Sequence, residues 1–567
     1  MRRNIVLSLL SFLIVSVSYA ESVSLEKAKK IAETVLGKNG SDKKIVTELN
    51  FSAQAKSRFN LNADSPAFYI FNSADSLGFV IVSGEDRLPS VFAYSCDGFI
   101  GEDVDMPNGL SFYLEAYSRY VEEVRLGKSK PMIRYADDTV ADTVVGPLVK
   151  SKWGQDEPFN LYVPNSYPVG CVATAMAQIM FHYKWPNQGM GSMRYEWNGK
   201  FIEENFAEHT YDWPVMKNTA NANRMGKAKD AVARISYDCG VATQMQYGEG
   251  GSGTQDDLAY VAYYKFFDYD ASSLDFKRQM SCGSQEEWEK LIYDELDKKR
   301  PIQFSAFDSN DGGGHSFILD GYDSNGFVHV NWGWNGEGNG FYDLELMDVM
   351  SYKFNMQQSA IIGIVPDKDD EMSKRRQYRL YMIGTPGVKE NYSPSVEEEF
   401  YVSLGQVFNY SASTRVFNFG MGLFDKQGNF LDDVSVFSLD RNQLILEGFY
   451  GYGEYGNMKC KLPREYPDGD YVFRAISKEN GYDEWLLVET EGGDKVNCLP
   501  AYIHDGKIFF NQFSTAIDGV EDDVDFFVER YDLNGRKLEG ASLKNKGIVI
   551  ERRIYRNGKV KVAKICY

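Results

Sequence analysis

The chain has 567 residues, 43% hydrophobic and 25% charged, a globular composition that excludes a mainly disordered, collagenous or coiled-coil protein. Its formal charge of −20 denies it the basic face that nucleic acid or anionic lipid requires. The 7 cysteines show no CxxC spacing, so neither a zinc site nor a dense disulfide framework is indicated, and their odd number leaves at least one thiol unpaired within the chain.

The first 20 residues read as a signal peptide. Arg2 and Arg3 precede an apolar run over 5–17, and Ala20 supplies a small residue for cleavage. The run is too short for a transmembrane helix, and no later stretch is apolar enough to span a bilayer. Leu25, Ala28, Ile31, Ala32, Val35 and Leu36 then share one helical face, with Ser24 as N-cap and Gly37 as terminator. Two strand-like runs follow at 67–72 (AFYIFN) and 78–83 (GFVIVS), then a helix over about 110–124. The Asp-rich stretch 135–143 is expected to be exposed and open to proteolysis. The charged run 367–376 reads as a linker. Beyond it, 377–510 alternates short strands with turn signals, the pattern of an antiparallel sandwich. The last segment is a small β module with hairpin turns at Asn534-Gly535 and Asn557-Gly558.

Chemistry concentrates in the middle. In 168–180 (PVGCVATAMAQIM), small residues lead into a helical pattern, placing Cys171 at a helix start. There the dipole and free N–H groups favour a thiolate, and Gly170 permits close backbone approach. A buried structural cysteine is the commoner fate of such a residue. The glycine-rich 311–322 (DGGGHSFILDGY) delivers His315 into an apolar strand, 144 residues after Cys171, inside the spacing of papain-like enzymes. An imidazole there takes the thiol proton and later protonates a leaving amine. In 328–336 (VHVNWGWNG), Asn331 is placed to orient the histidine and Trp332 or Trp334 to shield it, while His329 reads as a strand position. Gln155, 16 residues before Cys171, is a suitable oxyanion donor. The G-x-G-x-x-G at 248–253 has no βαβ context, so it reads as a loop bordering a peptide cleft. Gly251 and Ser252, with Gly314, would bind an extended substrate there as an added strand. Asp308, Asn310 and Asp311 resemble calcium ligands, but Leu319 stands where an EF-hand loop needs glutamate, so they read as a solvated loop.

These residues resemble the streptopain family of papain-like cysteine peptidases. The shared features are Trp153-x-Gln155 followed by Pro158 and Phe159, the cysteine helix at 170–180, and the two segments around His315 and Asn331. The likeness covers about 145–366, and 67–101 is similar to that family's inhibitory propeptide. The papain-type Cys-Gly-Ser-Cys-Trp signature is absent. The resemblance implies an α+β fold, with Cys171 as nucleophile, His315 as base, Gln155 as oxyanion donor and Trp332 with Trp334 as histidine support; a tryptophan, not Asn331, then takes the third place.

The expected divisions are 1–20 signal, 21–143 inhibitory pro-domain, 144–367 papain-like domain, 377–512 sandwich and 515–567 a C-terminal module. The last resembles type IX secretion sorting domains through 531–536 (YDLNGR) and 558–562 (GKVKV). The expected protein is a secreted endopeptidase zymogen, reaching the medium or cell surface through the periplasm. Its partners would be polypeptide substrates and its own pro-domain, with no cofactor or metal. The competing readings are a binding or adhesion protein with a degenerate peptidase-like domain, and a Cys-His acyltransferase, since an amine can also resolve an acyl-enzyme.

Overall fold

The computed structural model describes residues 22–37, 45–59, 61, 65–75, 77–101, 106–132, 142–308, 314–353, 356–368, 374–389, 392–511, 526–531, 548–555 and 560–566. The signal-peptide reading, residues 309–313 and both C-terminal hairpin turns lie outside them.

The N-terminal lobe runs α1 (Leu25–Gly37), β1 (Val46–Glu48), α2 (Ala53–Arg58), β2 (Phe68–Ser73), β3 (Phe79–Ser83), β4 (Val91–Ser95) and α3 (Asn108–Arg125). The apolar face read from the sequence is buried in α1 through Ala28, Ala32, Val35 and Leu36. Neither α2 nor β4 carries a strong local pattern. The central region continues with β5 (Thr143–Val145), α4 (Cys171–Tyr183), β6 (Ser192–Trp197), β7 (Lys200–Asn205), α5 (Ala220–Asn223), α6 (Gly226–Ala242) and α7 (Asp256–Phe266). Then come β8 (Asp275–Arg278), α8 (Gln285–Asp297), β9 (Ile302–Asp308), β10 (Gly314–Asp323), β11 (Phe327–Asn331), β12 (Gly340–Asp343), α9 (Leu344–Lys353) and β13 (Met356–Ile362). Thr143, read as the end of an exposed stretch, thus belongs to a strand that pairs with β10.

One antiparallel sheet joins the two regions in the order β1-β2-β3-β4-β12-β11-β10-β9-β13-β8, with β5 against β10. The junction is short: Tyr94 faces Phe341 and Ala93 faces Tyr342. The core is continuous across it. Phe92, Tyr113 and Tyr117 from the N-terminal lobe belong to the same apolar cluster as Phe317, Trp332 and Tyr342. A second cluster holds α4 among α6 and α7, through Val172, Met176, Ile179, Ile235 and Tyr263. The result is an α+β, papain-like arrangement: a helical half carrying Cys171 packed against a sheet half carrying His315.

Residues 377–389 and 392–510 form mainly antiparallel layers around their own core, with Tyr381–Ile383 parallel to Glu489–Thr490. The larger sheet runs Phe430–Asp433, Arg415–Asp425, Gly469–Glu479, Leu499–His504, Lys507–Phe510. The run read as a linker is docked at its end: Arg375 pairs with Glu479 at 2.6 Å and Arg376 with Asp275 of β8 at 3.3 Å. The C-terminal module is a three-stranded antiparallel sheet of Phe526–Tyr531, Ile548–Tyr555 and Val560–Cys566. Among the described residues, no helix is long and apolar enough to cross a membrane.

Candidate active site

Cys171 is the first residue of α4. Gly170 before it has φ +96°, and a Cβ there would lie 2.7 Å from the Met245 side chain, so only glycine lets the chain turn into the helix at this point. Burial pushes the Cys171 thiol above its ordinary range, against the opposing pull of backbone N–H groups at Ser316, Val172 and Cys171 itself.

His315 is the second residue of β10, opposite Ala306 of β9. It shares with Cys171 a cavity of about 1150 Å³, which Ser252 and Gly314 also line. Gln303 fixes the two elements to each other. Its Nε2 donates at 3.2 Å both to the Val172 carbonyl in the first turn of α4 and to Ser316 Oγ on β10, and its Oε1 accepts from Tyr263 at 2.9 Å.

The N-terminal lobe covers the histidine. The Phe112 ring of α3 meets the imidazole edge-on, centroids 6.1 Å apart. A Cβ at Gly109 would lie 2.7 Å from the Trp332 ring and 3.5 Å from His315 Cβ, so α3 reaches the site only because it carries glycine there. Burial, and secondarily the Arg58 charge, push the His315 pKa down to about 4. Both shifts favour the neutral thiol and the neutral imidazole over a thiolate–imidazolium pair.

Gln155 lies beside the residue before the thiol. Its Oε1 accepts from the Gly170 N–H at 3.2 Å and its carbonyl from the Val169 N–H at 2.9 Å. This leaves Nε2 as the donor with no partner among the described residues. Trp332 is buried; its Nε1 donates to the Gly338 carbonyl at 3.1 Å and its ring packs on Phe317 at 4.7 Å. Trp334 is half-buried, and its carbonyl caps a turn by accepting from the Glu337 N–H at 3.0 Å.

The expectation that Asn331 orients the histidine is not met. Asn331 ends β11 opposite Ile318, three residues along β10 from His315. Its Nδ2 donates to the Ser151 carbonyl at 2.9 Å and its Oδ1 accepts from the Gly333 N–H at 3.1 Å. That amide ties the cysteine half to the sheet through Gln178, whose Oε1 also accepts from Ser151 and from the Trp153 N–H. Gly251 has φ +140° and open space around it at the tip of the glycine loop, outside the cavity lining, whereas Ser252 donates to the Pro168 carbonyl at 2.6 Å just ahead of the cysteine. His329 is committed elsewhere, 2.5 Å from Asp320 in the sheet interior. Sequence reasoning missed Gln303 and Gln178, since a buried glutamine signals its partners only through the fold.

Among the described residues, Glu204, His209 and Asp238 bring three ligand-type atoms together. The Arg234 guanidinium already stands within 3.7 Å of Glu204 and 3.5 Å of Asp238, so a cation of the chain's own neutralises that cluster.

Family comparisons bear on the same regions. Residues 153–342 match the peptidase C10 family and residues 20–121 match the Spi protease inhibitor family. The chain is 31% identical over 336 residues to the thiol protease/hemagglutinin PrtT of Porphyromonas gingivalis, covering 53% of this chain and 37% of that one. It is 29% identical over 330 residues to streptopain of Streptococcus pyogenes, covering 53% of this chain and 80% of that one. A solved fragment of Prevotella intermedia prointerpain A aligns at 26% identity with a TM-score of 0.47, over 57% of this chain and 98% of the fragment. With an inhibitor-type region ahead of its cysteine helix and histidine strand, the chain belongs to the peptidase C10, or streptopain, family of papain-like cysteine peptidases.

Proposed function

We propose that this protein is a secreted cysteine endopeptidase made as an inactive precursor. Cys171 attacks the peptide carbonyl. His315 takes the thiol proton and returns it to the leaving amine, and water then hydrolyses the thioester. Gln155 Nε2 and the free N–H groups at the start of α4 receive the developing oxyanion. The buried Trp332 and Phe317 form the apolar backing of the histidine strand.

The observation that carries this reading is the shared cavity of Cys171 and His315 with α3 laid over the histidine. While residues 22–132 stay in place, the imidazole is held neutral. Their departure removes Phe112, Arg58 and the burial they impose, so the imidazole regains its affinity for the thiol proton. Polypeptide substrates lie extended along the loop that ends at Ser252 and Gly253 and along the start of β10 at Gly314. Export rests on the basic pair Arg2 and Arg3, the apolar run that follows and Ala20. From there the protein passes through the periplasm to the medium or the cell surface.

An epoxide inhibitor tests the reading. Processed protein is expected to carry the label on Cys171, and intact precursor is expected to resist it. No label on processed protein would favour a non-catalytic binding or adhesion role. Product analysis separates hydrolysis from acyl transfer.

A further inference from the structure

The cavity around Cys171 and His315 is not lined by the central region alone. Tyr410, Phe449, Glu491 and Gly492 of the sandwich also line it. This wall is fixed in place. The Arg278 guanidinium lies 4.3 Å from the centroid of the Tyr410 ring and donates to the Tyr410 carbonyl at 2.5 Å. The Ala412 N–H donates to Asp257 Oδ2 at 2.5 Å, and the Gly492 N–H donates to the Met280 carbonyl at 2.9 Å.

Phe449 is the unusual member. It is 44% exposed and has φ +61°. A bulky residue in the left-handed region is strained, and such strain persists only where the surroundings enforce it. Here they do. The Phe449 N–H donates to the carbonyls of Asn409 at 3.0 Å and Ser411 at 3.1 Å. The buried Asn409 is itself locked by donating to Ser413, Leu446 and Glu447. The Phe449 ring stands edge-on to Tyr410, centroids 6.1 Å apart. The neighbouring Tyr450 is 66% exposed and Tyr452 45%. Arg278 and Asp257 are committed to holding the wall, so it presents to the cavity the rings of Tyr410 and Phe449, together with Glu491 and Gly492.

We propose that the sandwich supplies a side-chain subsite of the cleft, in which Phe449 and Tyr410 receive a bulky apolar or aromatic side chain of the extended substrate. The proposal rests on the peptidase reading of Cys171, because the substrate is what joins the two ends of the cavity. It gives residues 377–510 a part in choosing the cleaved sequence.

The test uses processed full-chain enzyme, with active sites counted by epoxide label and peptides varied one position at a time around the cut bond. Phe449→Asn suits the left-handed backbone and removes the ring. At one peptide position, preference for an aromatic or bulky apolar residue over alanine should fall about tenfold in kcat/KM, mainly through KM. Phe449→Tyr should restore it. Normal labelling with an unchanged preference would overturn the subsite alone, as would a fully active form that has lost residues 377–510. Absence of label in processed wild type would overturn the peptidase reading and the subsite with it.

Discussion

Two lobes touch the cleft, and one shares the sheet and core of the central region while the other does not. The N-terminal lobe continues the central sheet and shares its aromatic core, with Tyr113 of α3 inside the same cluster as Phe317 and Trp332. The sandwich has a separate core and meets the central region through directed polar contacts such as Arg278–Tyr410, Ala412–Asp257 and Arg376–Asp275. Apolar continuity is strong but indifferent to orientation, whereas hydrogen bonds to carbonyls and carboxylates fix a pose. Both lobes make such directed bonds: in the lobe proposed to leave, Tyr94 donates to Asp323 and the Gly101 N–H to Glu337, and that lobe is held besides by shared apolar area and by its tether. A tether also raises the effective concentration of the inhibitor, so cutting it shifts the balance toward release.

The largest test of this contrast is Cys171→Ala. Peptidase activity should fall by about 10⁶, since nucleophile and base act as a unit. If release is self-catalysed, this variant should accumulate as uncut precursor with both lobes attached, and added wild-type enzyme should trim only the N-terminal one. Gels with N-terminal sequencing read both outcomes. Cleavage of the sandwich instead would reverse the comparison.

Gln155→Ala should cost about 10²–10³ in kcat if its Nε2 is an oxyanion donor, with the precursor's stability little changed. Turnover equal to wild type would remove Gln155 from the site.

Gly109→Leu attacks the N-terminal contact itself, because the new side chain collides with the Trp332 ring. Overpacking of about 1–3 kcal/mol should loosen α3 and speed epoxide labelling of uncut precursor about tenfold to a hundredfold. A labelling rate equal to wild type would mean that α3 does not guard the site.

Acid should act in the same direction. His315 titrates near 4 under α3, against 6.5 for an unburied imidazole. The closed state therefore binds the proton more weakly than the open one. Its advantage is complete above about pH 6.5 and is lost as pH falls toward 4. Asp256, held up to about 6 by burial, lies against Ser305, Ser359 and Arg278 of the central region and keeps that environment whether or not the lobe is present. In the Cys171→Ala precursor, hydrogen exchange of α3, corrected for intrinsic pH effects, should rise on the order of tenfold between pH 7.5 and 5. Adding His315→Ala should flatten that dependence. The smallest effect belongs to the sandwich: Arg376→Ala removes a half-exposed pair and should change thermal stability by about 0.5 kcal/mol, less at high salt.

Local chemistry was readable from the sequence, and long-range placement was not. The glycine before Cys171 and the apolar helix after it announce a helix start, and the glycine run before an apolar strand announces how His315 is delivered. Leu25 to Leu36 shows its buried face through spacing alone. By contrast β4 is one short apolar run, and its role as the seam of the sheet depends on Phe341 and Tyr342, far along the chain. Asn331 looked like an orienting residue because it is polar and follows a histidine strand, yet the strand register turns its amide toward Ser151 and Gln178. The run read as a linker gave no sign of docking at its end because Glu479 and Asp275, the partners of Arg375 and Arg376, stand about a hundred residues away on either side. The aromatic wall was hidden for the same reason, since nothing near Phe449 in the sequence mentions Cys171.

The seam between β4 and β12 has a consequence for the trimmed protein. Once the N-terminal lobe departs, β12 becomes an outer strand, and the backbone at Phe341 and Tyr342 loses its hydrogen-bonding neighbour while Phe79, Phe92 and Tyr94 no longer shield the adjoining rings. An open edge beside aromatic surface invites pairing with other chains. The strand is only Gly340–Asp343, and Gly340 and Asp343 flank the two rings, so the exposed ladder is too short to template much. On the proposed reading, liberation would thus exchange a well-shielded molecule for one with a raw border, and the brevity of that border limits what it can template.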